Sequence, residues 1–315
     1  MSKNLSELAG RKGVSKTLFE ELGIAARQTG SPSVEKMEEL AEAFVMGKAN
    51  VFGATSFYDF LKPENKGKKV YICNGSSCMT AGTQPALKGK LLVHYTPDEI
   101  GDMCCLGRCH ENSSFNINGK NYSGNAVDEI DSIKKNSTEV ADTYHVAAYG
   151  TPVLTTPFPG INEYYSILAD ALKKTADELL NELKRSGLRG RGGAGFPIAF
   201  KLDSCRKETS KQKFIVCNAD EGDPGAYSDR YLLEQQPHSV LLGMMIAGYI
   251  TGAGTGVVYI RAEYPMAVEG LKIAIKQALE YGLLGDQIMG TDFSFDISIK
   301  YGAGAFVCGE ETALI

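Results

Sequence analysis

Two short cysteine spacings constrain this chain more than any other feature. Cys73-x4-Cys78 and Cys105-x3-Cys109 place four thiols on two loops. Cys104 stands next to the second pair as a fifth, and the chain has eight in all. The N-terminus, "MSKNLSELAGRKGVSKTLFEEL", lacks the apolar core of a secretion signal, so clustered thiols point to a metal rather than to disulfides. Four thiolates suit zinc or an iron–sulfur cluster. Structural zinc more often uses Cys-x2-Cys knuckles. Wider loops rich in Gly and Ser, such as "CNGSSC", leave backbone N–H groups free to bond cluster sulfurs, which favours iron–sulfur. A thioredoxin-type disulfide reductase would need Cys-x-x-Cys, and the sequence has none.

The second constraint is "SGLRGRGGAGFPIAFK", residues 186–201. It contains Gly190-x-Gly192-x-x-Gly195, the bare dinucleotide-binding pattern. That pattern should follow a strand. Here it follows "ADALKKTADELLNELKRS", which reads as a charged amphipathic helix. A loop of Gly190, Gly192, Gly193 and Gly195 exposes N–H groups and admits a flat ring or a phosphate. Arg191 and Lys201 add positive charge. "CNADEGD" places Asn218, Asp220, Glu221 and Asp223 just past a strand, where open α/β sheets bind ligands. A solvated acidic turn would read the same way.

Periodicity supplies the frame. Residues 1–65 read as helices, with Ser31-Pro32 as cap and first helical position, and Val34, Met37, Leu40, Ala41 and Phe44 on one face. "GKKVYIC" and "GKLLVHY" read as strands, and "NINGKNY" as an Asn-Gly hairpin, giving a small α/β domain over 66–132. Residues 133–160 read as a linker. From 161 onward a helix to about 186, the strand "KFIVCNA", a helix at 237–250, a strand at 256–261 and a helix at 265–281 alternate, which argues a mostly parallel, doubly wound sheet. Gln235 to Ile260 carries no Lys, Arg, Asp or Glu and is long enough to span a bilayer. Its glycines and the strand pattern after them instead predict a core helix, a turn and a buried strand. A net charge of -5 gives no support for a nucleic-acid partner. The chain stops inside an apolar run after "GEETA", which reads as a C-terminally truncated domain.

"VFGATSFYDFL", "VYICNGSSCMTAG" and "CCLGRCHENSSFNINGKNY" resemble the thioredoxin-like [2Fe-2S] subunit of respiratory complex I and its relatives. The resemblance implies that Cys73, Cys78, Cys105 and Cys109 ligate one binuclear cluster and that Cys104 is a spare thiol. "SGLRGRGGAGFP", "VCNADEGDPGAYSDRYLLEQQPH" and "GAGAFVCGEETALI" resemble, in the right order, the flavoprotein subunit that oxidises NADH on FMN. They look closest to the flavin subunits of NAD(P)-linked [FeFe] hydrogenases and formate dehydrogenases. The implied fold is α/β: N-terminal helices and a thioredoxin-like [2Fe-2S] domain, then an incomplete Rossmann-like FMN-binding domain over 161–315.

The resemblance also implies roles. The glycine loop lies between FMN and nucleotide, and Phe196 stacks on the adenine. Asn218 and Asp220 bond the isoalloxazine edge, with Glu221 nearby. Asp223 stands where the family usually has Glu facing the ribose, which leaves NAD(H) against NADP(H) open. Gly309, Glu310 and Glu311 flank flavin and nicotinamide, and Phe306 replaces a Tyr. Implied partners are other iron–sulfur subunits of a cytoplasmic multi-subunit oxidoreductase, without nucleic acid or direct membrane insertion. A different class stays open: a cluster and nucleotide-binding assembly module without turnover.

Overall fold

The computed structural model describes residues 17–103, 105–136, 146 and 148–314. Three helices come first: α1 (Leu18–Thr29), α2 (Val34–Ala43) and α3 (Lys48–Phe57). Thr17 and Glu20 form a capping box at the start of α1, which satisfies two orphan backbone donors. The cap of α2 is Ser33, whose hydroxyl accepts from Lys36 N at 3.2 Å. The Ser31-Pro32 start is therefore corrected by two residues. Ser31 is buried, and its hydroxyl donates to the Leu61 carbonyl instead. Met37, Leu40, Ala41 and Phe44 are buried as the period requires, whereas Val34 in the first turn is exposed.

The second unit is a four-stranded sheet. Strand β1 (Val70–Cys73) leads into α4 (Ser76–Ala81) and α5 (Gln84–Leu91), then β2 (Ile100–Met103), β3 (Phe115–Ile117), β4 (Lys120–Tyr122) and α6 (Ile130–Lys134). The order is β2-β1-β3-β4, with β1 and β2 parallel and the other pairs antiparallel. A parallel pair needs a crossover, and α4 and α5 provide it. The hairpin turns at Asn118 and Gly119, both with positive φ, as an Asn-Gly turn demands. "GKLLVHY" is not a strand: it holds the end of α5 and a turn. Leu87, Leu91 and Tyr95 recur every four residues and are buried, while Leu92 and Val93 face solvent.

The third unit begins with α7 (Ile161–Tyr164), α8 (Ser166–Leu172) and α9 (Ala176–Ser186). The single helix expected to about 186 is thus broken. The Thr175–Glu178 capping box starts a new helix, and Gly187 ends it in the left-handed conformation. Then follow α10 (Ile198–Lys207), β5 (Phe214–Ala219), α11 (Ser228–Gln235), α12 (Pro237–Thr251), β6 (Thr255–Ile260), α13 (Pro265–Glu280), β7 (Asp296–Tyr301) and the short α14 (Glu311–Leu314). The strands lie parallel in the order β5-β6-β7. The uncharged stretch is the core helix α12, a left-handed Gly252 cap and β6. Among the described residues no helix is long and apolar enough to cross a membrane.

Ile215, Cys217, Val258, Ile260, Ile297 and Ile299 pack one face of this sheet against the core formed with α12 and α13. On the opposite face Phe214 and Val216 are exposed. The N-terminal helices seat on the third unit: Ala303, past β7, belongs to their core, and Asp59 N and Phe60 N donate to the Gly304 and Ala303 carbonyls.

Candidate functional site

Strand pairing assembles the thiols. Cys73 ends β1 and lies in register with Met103, the end of β2. The two loops leave the same carboxyl edge of a parallel pair, so Cys105 emerges beside Cys73, and Cys78 follows on α4. The thiols form a continuous hydrogen-bonded series, Cys78 to Cys73 to Cys105 to Cys109. The Sγ atoms of Cys105 and Cys109 are 3.2 Å apart. Cys73, Cys78 and Cys105 are buried, in a pocket closed by Met103 and Leu106. Hydrogen bonds from Cys109 and Cys73 hold the Cys105 thiol low, and a bond from Cys73 holds Cys78 low, both against the opposing effect of burial. The same bonds, with burial, push Cys73 and Cys109 up.

Backbone donors surround these sulfurs. Gly75 N donates to Cys73 Sγ and Gly107 N to Cys105 Sγ, each at 3.4 Å. Leu106 N–H is aimed at Cys73 Sγ and Gly225 N–H at Cys109 Sγ. Among the described residues no three His, Cys, Asp or Glu side chains are placed to hold a single metal ion. Four soft thiolates with N–H donors suit the [2Fe-2S] group. Cys104 lies outside the described residues. The His110 ring lies tilted against Tyr227, at 5.2 Å between centroids.

The glycine loop is pinched at its base. Gly190 N donates to Phe196 O at 2.8 Å, Ile198 N to Leu188 O at 3.1 Å, and Arg189 Nη1 to Gly195 O at 2.9 Å. Gly193 and Gly195 take positive φ, and a β-carbon on Gly192, Gly193 or Gly195 would meet nothing within 4 Å. The loop therefore offers open backbone. Arg191 is exposed, and the exposed Phe196 contacts Phe200 edge-on. Lys201, on the first turn of α10, pairs with Glu311 at 2.5 Å. Glu310 is exposed and accepts from Thr312 N, whose bonds hold its carboxyl low. Phe306 lies in the turn before Gly309, and its side chain is outside the described residues.

The loop after β5 touches the loop after β7. Asn218 Nδ2 donates to Gly309 O at 2.8 Å, and Asp220 N donates back to Asn218 Oδ1. The Asp220 side chain is only 7% exposed, yet its Oδ2 has no hydrogen-bond partner among the described residues. Burial pushes its carboxyl up to about 6, with Arg261 opposing and Glu263 adding to the rise. An unused buried acceptor of this kind fits a ring N–H such as FMN carries. Glu221 is engaged elsewhere: its carboxylate accepts from Ser228, Asp229 N, Arg230 N and the Tyr264 hydroxyl, capping α11. Asp223 is exposed in the following turn.

A cavity of about 570 Å³ joins the two halves. Asn74, Gly75 and Cys105 line it from the thiol side, and Asp220, Arg261, Glu263 and Gly304 from the other. The glycine loop, Lys201 and Glu311 are not in its wall. Motifs alone do not single out "RAEY", residues 261–264, which supplies part of the contact between the halves. A signal is present all the same: these are the first charges after a long uncharged stretch, at the carboxyl end of a strand.

Similarity to known proteins follows the same division. Residues 6–138 match the family model of the thioredoxin-like [2Fe-2S] ferredoxin, and residues 183–315 that of the Nuo51 FMN-binding domain. The chain is 59% identical over 151 residues to the NADP-reducing hydrogenase subunit HndC of Solidesulfovibrio fructosivorans, which covers 48% of this chain and 31% of that protein. It is 32% identical over 308 residues to the NAD-reducing hydrogenase HoxS subunit alpha of Cupriavidus necator, covering 89% of this chain and 51% of that one. An NADH-quinone oxidoreductase subunit of Escherichia coli is 47% identical over 140 residues, 44% of this chain and 32% of that protein. Among solved structures, an NAD+-reducing [NiFe]-hydrogenase in the air-oxidized state superposes with a TM-score of 0.72 at 26% identity, over 98% of this chain and 53% of that one. The chain thus spans about half, or less, of the length of these relatives.

Proposed function

We propose that this chain is an electron-entry module that exchanges hydride with NAD(H) or NADP(H) and passes single electrons to a cluster on Cys73, Cys78, Cys105 and Cys109. The observation that supports the reading is the shared cavity: Cys105 and Asp220 line one space, so the thiol site faces the loops after β5 and β7, to which we assign the flavin edge. FMN, when bound, supplies the exchange between a two-electron hydride donor and a one-electron acceptor. The chain's own residues bind and orient. Gly190 to Gly195 present open backbone to the ring and phosphate, and Lys201 exchanges Glu311 for the phosphate. Asn218 and Asp220 take the ring edge, with the buried Asp220 Oδ2 as acceptor. Phe196 offers an exposed face for the adenine. No side chain need move a proton for hydride transfer, so Glu310 and Glu311 act as environment. The natural electron partner in this reading is another iron–sulfur subunit of a multi-subunit oxidoreductase.

The test is an anaerobic visible spectrum of the purified chain with iron and flavin assays, followed by NADH. About two irons per chain with flavin, bleached by NADH, is expected. Irons without flavin would support the assembly module instead. Zinc in place of iron would overturn the cysteine assignment.

A further inference from the structure

The boundary between the two halves contains two arginines of the FMN-binding half that donate into the loop carrying Cys105 and Cys109. Arg261 Nη2 donates to the Cys105 carbonyl at 3.1 Å, and Arg230 Nη1 to the Gly107 carbonyl at 2.7 Å. Their side chains are 6% and 3% exposed. Each also pairs with a buried glutamate of its own half, Arg261 with Glu263 at 2.7 Å and Arg230 with Glu234 at 2.8 Å. Arg261 reaches further: Nη1 donates to the Glu221 carbonyl, and Nε lies 3.7 Å from Asp220 Oδ1.

Each peptide unit has two ends, and here both ends are used. In the Cys105–Leu106 peptide the carbonyl accepts from Arg261, and the N–H is aimed at Cys73 Sγ. The Leu106–Gly107 peptide has its carbonyl held by Asn121 Nδ2 at 3.0 Å, and its N–H donates to Cys105 Sγ. Asn116 Nδ2 donates to Asn121 Oδ1 at 2.6 Å, which fixes that amide's orientation. A cation on a carbonyl polarises the peptide and strengthens the N–H at its other end. N–H donors on thiolate ligands, and positive charge in a site shielded from water, favour the reduced, more negative cluster.

We infer that Arg261 is a positioning residue that raises the reduction potential of the cluster on Cys73, Cys78, Cys105 and Cys109, by gripping the Cys105 carbonyl from the flavin half. Glu263 opposes it as the buried counter-charge. The inference rests on the cysteine assignment above and goes beyond it, because it places control of the cluster in the other domain. Since Arg261 also abuts Asp220, one side chain touches both the ligand loop and the proposed flavin edge.

The experiment is an EPR-monitored redox titration of the full chain, with iron content measured alongside. Arg261→Gln is expected to lower the reduced-to-oxidised ratio at fixed poise about tenfold, a downward shift of about 59 mV for a one-electron couple. Arg261→Lys should shift it the same way by less, since a point charge lacks the planar fork. Glu263→Gln should shift it upward. Should Arg261→Gln fail to fold or to hold iron, the opposite signs of Arg261→Lys and Glu263→Gln decide. Unchanged potentials in iron-replete variants would overturn the inference while leaving the cysteine assignment intact. A parent chain without iron or a cluster EPR signal would overturn both.

Discussion

A β-carbon on Gly309 would stand 2.9 Å from the carbonyl oxygen of Asp220. The loops after β5 and β7 therefore meet backbone to backbone, and the Asn218 bond to the Gly309 carbonyl clamps them. Gly309→Ala should force them apart, at a cost of about 1–3 kcal/mol in stability. It should weaken FMN binding about tenfold, since a loss of about 1.4 kcal/mol in binding corresponds to that factor. Urea unfolding and a flavin fluorescence titration check the two parts separately.

Gly107 sits tightly packed at the domain boundary. It takes φ +71°, and a β-carbon there would lie 2.2 Å from Tyr264 Cε1, on a ring that is itself buried. Gly107→Ala combines a left-handed backbone penalty with a steric clash. A loss of about 2–4 kcal/mol in denaturant unfolding is expected. Pairing it with Tyr264→Leu should recover part of the loss, because only the clash is relieved.

The four thiols should behave as one unit. Cys73→Ser or Cys109→Ser is expected to abolish the cluster's visible absorption and EPR signal. Cys217→Ser should leave both unchanged, since Cys217 packs in the apolar core of the β5-β6-β7 sheet. A wild-type signal in both ligand variants would refute the assignment.

Two buried groups give the stability profile opposite slopes. His238 is 6% exposed and lies between the Tyr165 hydroxyl and Gln277; burial holds its pKa below the ordinary 6.5, with the Gln277 bond opposing. The unfolded chain then binds the proton more readily, so stability falls as pH drops below about 6.5. Asp220, raised to about 6, works the other way: its contribution is present below the unfolded value near 3.8 and is lost as pH rises through 6. Asp220→Asn should therefore gain on the parent between pH 4 and 7, by on the order of 1 kcal/mol after discounting for solvent screening. Thermal melts of both proteins across that range measure the difference, and a parallel pair of curves would refute it.

What sequence reveals here divides along the range of the interactions. The Asn118-Gly119 hairpin, the strand ending at Cys73 and the turn at Gly252 rest on local backbone chemistry, and each forms where its residues demand. The errors are local competitions decided by detail. Ser33 out-competes Ser31 because only Ser33 can reach Lys36 N, and "GKLLVHY" follows the four-residue spacing of Leu87, Leu91 and Tyr95 rather than its β-branched look. Strand β2, "IGDM", is too short and polar to announce itself, and exists because β1 supplies its partner. For the site, motif order locates the cysteines and the glycine loop. Arg230 and the cavity at Asp220 depend on how two domains pack, which no window of sequence contains.

The buried arginines of the boundary also bear on motion. Withdrawing the cysteine loop would cost Arg261 its bond to the Cys105 carbonyl and Arg230 its bond to the Gly107 carbonyl, and would pull Gly107 off the face of Tyr264. Opening at this seam would break these buried contacts, so in the proposed electron-entry role the gap between flavin and cluster is set once, at folding. Transfer across it should be a tunnelling event at fixed separation, with a rate indifferent to added glycerol. A rate that falls in proportion to solvent viscosity would mean that the two halves swing after all.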